Sequence, residues 1–266
     1  GLWPYCNADC PSESDQSKLL HHNPPSNSPA LKSSPHLPIR RCYQYPPAQP
    51  IAMGNKIWFL TGNLGKVKEA QLHLHKLGYE VEQLVIDEDI SEPQAEDLYS
   101  VAEAKITQAL PFLPDKEDML MVEDAGLFIE PLNGFPGVYS AYVLKTIGCN
   151  GILKLLSHLE SQDPVMNGQL RGAEFQAVAA LWNGREIIFG EGKCPGWISK
   201  EINGEDGFGF DPLFVPFDLD GLGNPLTAGN YGETSTHGAT FGAVGLEEKQ
   251  LFSHRMRALN NLISQL

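Results

Sequence analysis

Four consecutive apolar residues, Ile57-Trp58-Phe59-Leu60, run into Thr61-Gly62-Asn63 and then into Val67, Ala70, Leu74 and Leu77 at helical spacing. So short an apolar run fits a buried strand. The recurrence every three or four residues fits one face of a helix, and Gly78 suits its end. A strand feeding straight into an amphipathic helix commits the chain to layered α/β packing, because the helical stripe has to be buried on a sheet. Residues 81–86 read as a second strand, 101–110 as a helix stopped by Pro111, and 119–122 as a strand ending at Glu123-Asp124. Ile152, Leu155, Leu156 and Leu159 mark another helix. Residues 175–182 and 186–191 form a hairpin around Asn183-Gly184, which makes the sheet mixed. Leu251, Arg255, Leu259, Leu262 and Leu266 mark a C-terminal helix. The stretch 218–242 is rich in Gly, Thr and Asn and reads as a surface loop, longer than compact domains usually allow.

Residues 1–52 are different. They are Pro- and Ser-rich, lack hydrophobic periodicity and offer too little apolar surface to offset the entropy of ordering. The expectation is a disordered tail over 1–52 and one domain over 53–266. The tail carries Lys18, Lys32, Arg40 and Arg41 against Asp9, Glu13 and Asp15, a balance an organelle transit peptide could share. Met53 could equally be the functional start, so a cytoplasmic protein is the simpler expectation. The net charge of −14 over 266 residues disfavours gripping nucleic acid, which needs a basic face. No apolar run is long enough for a membrane helix. Five irregularly spaced cysteines, without CxxC or zinc spacing, read as free thiols.

Three groups of residues carry chemistry. Thr61, Gly62, Asn63, Leu64, Gly65 and Lys66 would place free backbone N–H groups and an ammonium at a helix start, a setting that attracts phosphate. The spacing is not that of a Walker loop, since the glycines are too close and Val67 stands where a hydroxyl is required. An ordinary strand–helix turn with an exposed lysine would look the same. Glu123 and Asp124 end an apolar strand, and Glu92 lies in an acidic loop. Carboxylates there suit magnesium, although adjacent strand residues face opposite ways, so Asp124 is favoured at the chemistry with Glu123 as support. Phe208, Gly209, Phe210 and Asp211 combine aromatic faces with a close-approaching backbone. Lys249, Ser253, His254 and Arg255 supply a basic helix start. A tight turn with core aromatics and a capped helix would again look alike.

Taken together, Thr61-Gly62-Asn63-x-x-Lys66, Val122-Glu123-Asp124-x-Gly-Leu127, Gly134-Phe135-Pro136-Gly137-x-Tyr139-Ser140-Ala141, Phe208-Gly209-Phe210-Asp211-Pro212 and Ser253-His254-Arg255 resemble the inosine triphosphate pyrophosphatase (Ham1-like) family over about residues 56–266. The resemblance implies an elongated, long curved mixed sheet flanked by helices, with a cleft between two lobes. It implies a homodimer and a hydrolase that cleanses the nucleotide pool, converting ITP, dITP and XTP to monophosphate and pyrophosphate with Mg2+, or Mn2+ in its place. On that pattern Thr61, Gly62, Asn63, Leu64, Gly65 and Lys66 bind the triphosphate, with Lys105 as a further phosphate contact. Glu92 and Asp124 hold the metal, with Glu123 assisting. Phe208, Gly209, Phe210 and Asp211 enclose the base, with Lys249, His254 and Arg255 completing the pocket. Asp124 and Lys66 carry the catalysis. A related-fold pyrophosphatase for pyrimidine or modified nucleotides, and a non-catalytic nucleotide sensor, are the alternatives. Two departures from the pattern stand out: the length of 218–242, and Ala243-Val244-Gly245 where an Ala-Glu pair is usual.

Overall fold

The chain is described over residues 55–266 by a computed structural model; the expected disordered tail lies outside them. The strands in chain order are β1 (Lys56–Leu60), β2 (Glu80–Leu84), β3 (Met119–Ile129), β4 (Pro136–Gly137), β5 (Gly172–Trp182), β6 (Ile187–Ile198) and β7 (Phe214–Pro216). They form one sheet in the order β2-β1-β3-β5-β6-β7, with the short β4 beside the far end of β3. β1 runs parallel to β2 and β3, and the remaining pairs are antiparallel. The helices are α1 (Leu64–Leu74), α2 (Leu98–Ala109), α3 (Ser140–Thr146), α4 (Gly148–Leu155), α5 (Pro164–Leu170), α6 (Leu246–Phe252) and α7 (His254–Ile263).

The strand pleat sorts the core into layers. Ile57, Phe59, Met119 and Met121 face α1 and α7 through Val67, Ala70, Leu74, Met256, Leu259 and Leu262. Leu120, Val122, Val178 and Ala180 face α2 through Leu98, Ala102, Ile106 and Ala109. A third cluster, centred on Phe175, Phe214, Phe241 and Phe252, fills the other end of the sheet. α7 lies almost on the strand backbone. A Cβ at Gly190 would run into Ala258 and Leu262, and one at Gly192 into His254 and Ala258.

Four expectations are corrected. β3 does not end at 122 but continues through Glu123 and Asp124 to Ile129. Two carboxylates look like a strand end, yet β5 pairs along this stretch, with Glu123 opposite Ala179 and Asp124 opposite Val178. A backbone ladder is indifferent to what those side chains are. The hairpin is longer than expected at both ends, although Asn183 holds its turn by accepting from the amides of Arg185 and Glu186. The C-terminal helix is two helices. Ser253 is extended and caps α7 through the Met256 amide, so Leu251 belongs to α6 and faces solvent. The 218–242 stretch has no helix or named strand, yet it is pinned to the domain. Asp218 accepts from Ser235 Oγ at 2.7 Å, Thr240 donates to the Asn203 carbonyl at 2.6 Å, and Phe241 is fully buried against Phe214.

Candidate active site

The turn from β1 into α1 forms one wall of a cavity of about 370 Å³. Asn63 caps α1 by accepting from the Gly65 amide at 2.8 Å, and Thr61 Oγ1 accepts from the Asn63 amide at 3.2 Å. The first-turn amides of a helix have no intrahelical acceptor, so this wall presents donors. Thr61, Gly62, Asn63 and Lys66 line the cavity, while Leu64 turns its side chain to solvent. Gly65 serves the neighbouring loop: a Cβ there would press on the Phe208 ring.

The pleat of β3 sends its two acids in opposite directions. Glu123 faces α1 and α7. It takes Lys66 Nζ at 3.3 Å and Arg255 Nε at 2.9 Å. Asp124 faces α2 and takes Lys105 Nζ at 3.1 Å. The same ammonium reaches Glu92 at 2.6 Å, so Glu92 and Asp124 converge on one cationic point. Burial of Glu123 opposes its charge, but Arg255 and then Lys66 hold the carboxyl well below the usual range. Burial of Asp124 wins over Lys105 and Lys66, and its carboxyl is pushed up. The two neighbours therefore differ in kind: Glu123 is a locked anion, and Asp124 is a carboxylate with raised proton affinity.

A second cavity, of about 340 Å³, adjoins the first and shares Asn63, Lys66, Ala125 and Ala141 with it. Phe175, Phe208, Phe210, His254 and Arg255 line it. Its floor is a buried charge network. Arg255 donates to Glu69 and Glu123, and Lys249 donates to Glu69 at 3.3 Å and to Asp211 at 2.8 Å. Arg255 is 1% exposed and Lys249 and Glu69 are each 3% exposed. Both cations lie by the Phe208 ring, Lys249 Nζ at 4.4 Å and the Arg255 guanidinium at 5.1 Å from its centroid. Asp211 also accepts from the Phe208 amide at 2.7 Å, which closes the Gly207–Asp211 turn. His254 stacks on Phe175 at 4.9 Å; burial pushes its imidazole well below the usual range and keeps it neutral. Its Nδ1 has no hydrogen-bond partner among the described residues. Across the cavity, Ser140 Oγ accepts from the Leu127 amide and donates to the Gly137 carbonyl, fixing the wall made by the Gly134–Ala141 motif.

The sequence-selected residues thus fall around one continuous cleft, with Lys66 at the junction of its two halves. Lys249 stands behind the aromatic loop and braces it through Asp211, which itself lines the cavity. One residue was missed in the sequence. Glu69 is the carboxylate that holds both Lys249 and Arg255, and its signal was an acid flanking the apolar stripe Val67-Ala70-Leu74. No set of three His, Cys, Asp or Glu side chains suited to a metal occurs among the described residues.

A mixed open sheet with a phosphate-type helix start at one end of a cleft and an aromatic, arginine-floored pocket at the other defines a nucleotide-handling α/β protein. The Ham1 family model matches residues 57–265. A dITP/XTP pyrophosphatase of Thermococcus kodakarensis is 40% identical over 212 residues, covering 79% of this chain and 97% of that protein. The dITP/XTP pyrophosphatase of Methanopyrus kandleri is 41% identical over 206 residues, covering 77% and 92%. Among solved structures, the Staphylococcus aureus Ham1 protein superposes with a TM-score of 0.57 at 25% identity, over 79% of this chain and 97% of that one. The chain belongs to the Ham1 family.

Proposed function

We propose that this chain hydrolyses non-standard purine nucleoside triphosphates, dITP, XTP and ITP, to the monophosphate and pyrophosphate. The carrying observation is the continuity of the two cavities through Lys66, which suits a ligand with a polyanionic end and a flat aromatic end. The naming of the Thermococcus and Methanopyrus relatives as dITP/XTP pyrophosphatases supports the same substrate class.

Glu92 and Asp124 present hard oxygen donors to one cationic point, and two carboxylates alone leave coordination positions for phosphate oxygens and water. That donor set fits Mg2+, or Mn2+, and a bound divalent ion would withdraw charge from the phosphates and favour ionisation of water. The residues divide the remaining work. Thr61, Gly62, Asn63 and the amide of Leu64 seat the triphosphate. Asp124, at the water's side of the cleft, takes the proton of the water that attacks the α-phosphorus. The bond from the α-phosphorus to its bridging oxygen breaks, and pyrophosphate leaves with the electron pair. Lys66 and Lys105 stabilise the charge that builds on it. Phe208 stacks on the purine, with Gly209 and Phe210 shaping the slot. Arg255 has three N–H contacts committed to Glu69 and Glu123, and an arginine carries five N–H groups. A remaining one is available to a six-position carbonyl. The amino group of adenine would meet that donor and leave buried polar atoms unpaired, which disfavours ATP.

The resemblance further supports a homodimer of two-lobed chains. Among the described residues no helix is long and apolar enough to cross a membrane. The test of the function is pyrophosphate release from a panel of dITP, XTP, ITP, ATP, GTP and pyrimidine triphosphates. Release confined to the first three is expected. Equal or faster release from ATP or the pyrimidines, or none with any divalent ion, overturns the reading.

A further inference from the structure

We infer that Lys105 is the resident cation of the two-carboxylate seat, held there until a metal–nucleotide complex displaces it, so that the seat does not load with free metal ion. This rests on the reading of the cleft given above.

Four observations carry the inference. Lys105 Nζ is within 2.6 Å of Glu92 and 3.1 Å of Asp124, so one ammonium already occupies the point on which both carboxylates converge. The lysine comes from α2, and its side chain is only 15% exposed, whereas that of Glu92, on a loop, is 60% exposed. Lys66, the other ammonium of the cleft, is engaged on the opposite side of β3 by Glu123 and does not close this pair. No third acid among the described residues joins Glu92 and Asp124. A free divalent ion would therefore have to evict a half-buried, doubly paired ammonium with only two carboxylates to hold it. An ion arriving with phosphate oxygens brings both its missing ligands and an anionic destination for the ammonium. Lys105 then releases Glu92 and Asp124 and turns to the phosphates. The same side chain that keeps the two acids neutralised in the free enzyme thus becomes a substrate contact in the loaded one.

The test is Mn2+ binding to the nucleotide-free full chain, read as loss of the free-ion signal in electron paramagnetic resonance. Wild type is expected to bind weakly. Lys105→Met should bind about tenfold more tightly or better, since two close carboxylates lose the one ammonium in contact with both. Lys105→Gln is carried beside it, with circular dichroism, so that a folded variant without the ammonium is measured. Lys66→Met should gain less than about threefold, because it removes equal charge from the cleft but not from this seat. Adding Glu92→Gln to Lys105→Met should abolish the gain. The inference is overturned if the Lys105 variants bind Mn2+ no better than wild type. It also falls if Lys66→Met gains as much, or if the gain survives Glu92→Gln. Pyrophosphate release from dITP by the wild-type chain is scored separately: its absence sinks the functional reading, while the Mn2+ titration still decides the role of Lys105.

Discussion

The two ends of the cleft hold the same kinds of side chain in opposite ways. At the phosphate end Lys105 joins Glu92 and Asp124 at the edge of open space, Lys66 faces the same space from its pair with Glu123, and Glu92 stands mostly in solvent. At the base end Lys249, Arg255, Glu69, Asp211 and Glu123 form a closed network in which each charge has a buried partner. Charges held loosely can turn to a ligand and move protons. Charges sealed against one another cannot, and what they give instead is shape: a rigid floor beneath Phe208 and one fixed donor. On the proposed reading the difference separates chemistry from selection along a single strand, since Glu123 belongs to the sealed network and Asp124 to the open one.

Substitutions at the two ends should therefore fail differently. Asp124→Asn, at the open end, is expected to slow dITP hydrolysis by roughly 10³-fold or more while the thermal midpoint stays close to wild type. Near-normal turnover would remove Asp124 as the proton acceptor. Arg255→Ala, at the sealed end, removes the cation shared by Glu69 and Glu123, leaves these buried acids only Lys249 and Lys66 at 3.3 Å each, and should cost about 3–5 kcal/mol of stability in urea denaturation. A midpoint unchanged from wild type would mean that the network is not sealed. Phe208→Ala should raise the KM for dITP about tenfold with little change in kcat, as expected for loss of a base stack. An equal loss in kcat would instead assign Phe208 to the chemistry.

The smallest effect is one of pH. Folding lowers the proton affinity of His254 well below its ordinary value of 6.5, so below that pH the unfolded chain binds the extra proton and the folded chain resists it. Stability from this site is complete above about pH 6.5 and declines as the pH falls below it. Glu123, also depressed, extends the decline below its ordinary value of 4.5. Thermal melts from pH 7.5 to 5 should show the first decline in wild type and a flatter profile in His254→Asn. Identical profiles would dissociate His254 from the acid sensitivity.

Much of this was legible before any coordinates, for local reasons. The β1–turn–α1 unit announces itself because an apolar run, a glycine turn and a helical stripe are contiguous. The hairpin does so because Asn183-Gly184 fixes its turn. What was not legible depends on partners distant in the chain. Nothing near Glu123 and Asp124 says that β5 will pair across them and carry β3 on to Ile129. The importance of Glu69 appears only when α7 brings Arg255 against α1. The break at Ser253 hides behind an apolar periodicity that two helices share by chance of spacing, and Phe241 enters the core from a stretch whose composition reads as surface. Of the site, the residue types and their order were readable. Their division into an open and a sealed half was not, because it is set by burial.

The seating of α7 on Gly190 and Gly192 has a consequence for how this pocket can be altered. The helix that carries His254 and Arg255 stands as close to β6 as two missing methyl groups permit. Restoring one methyl at Gly192 would lift the start of α7 away from the sheet and shift both side chains together, with every residue that lines the cavity left as it is. On the proposed reading, selectivity is therefore adjustable from the back of the wall, by changes in helix height rather than in the residues that line the cleft.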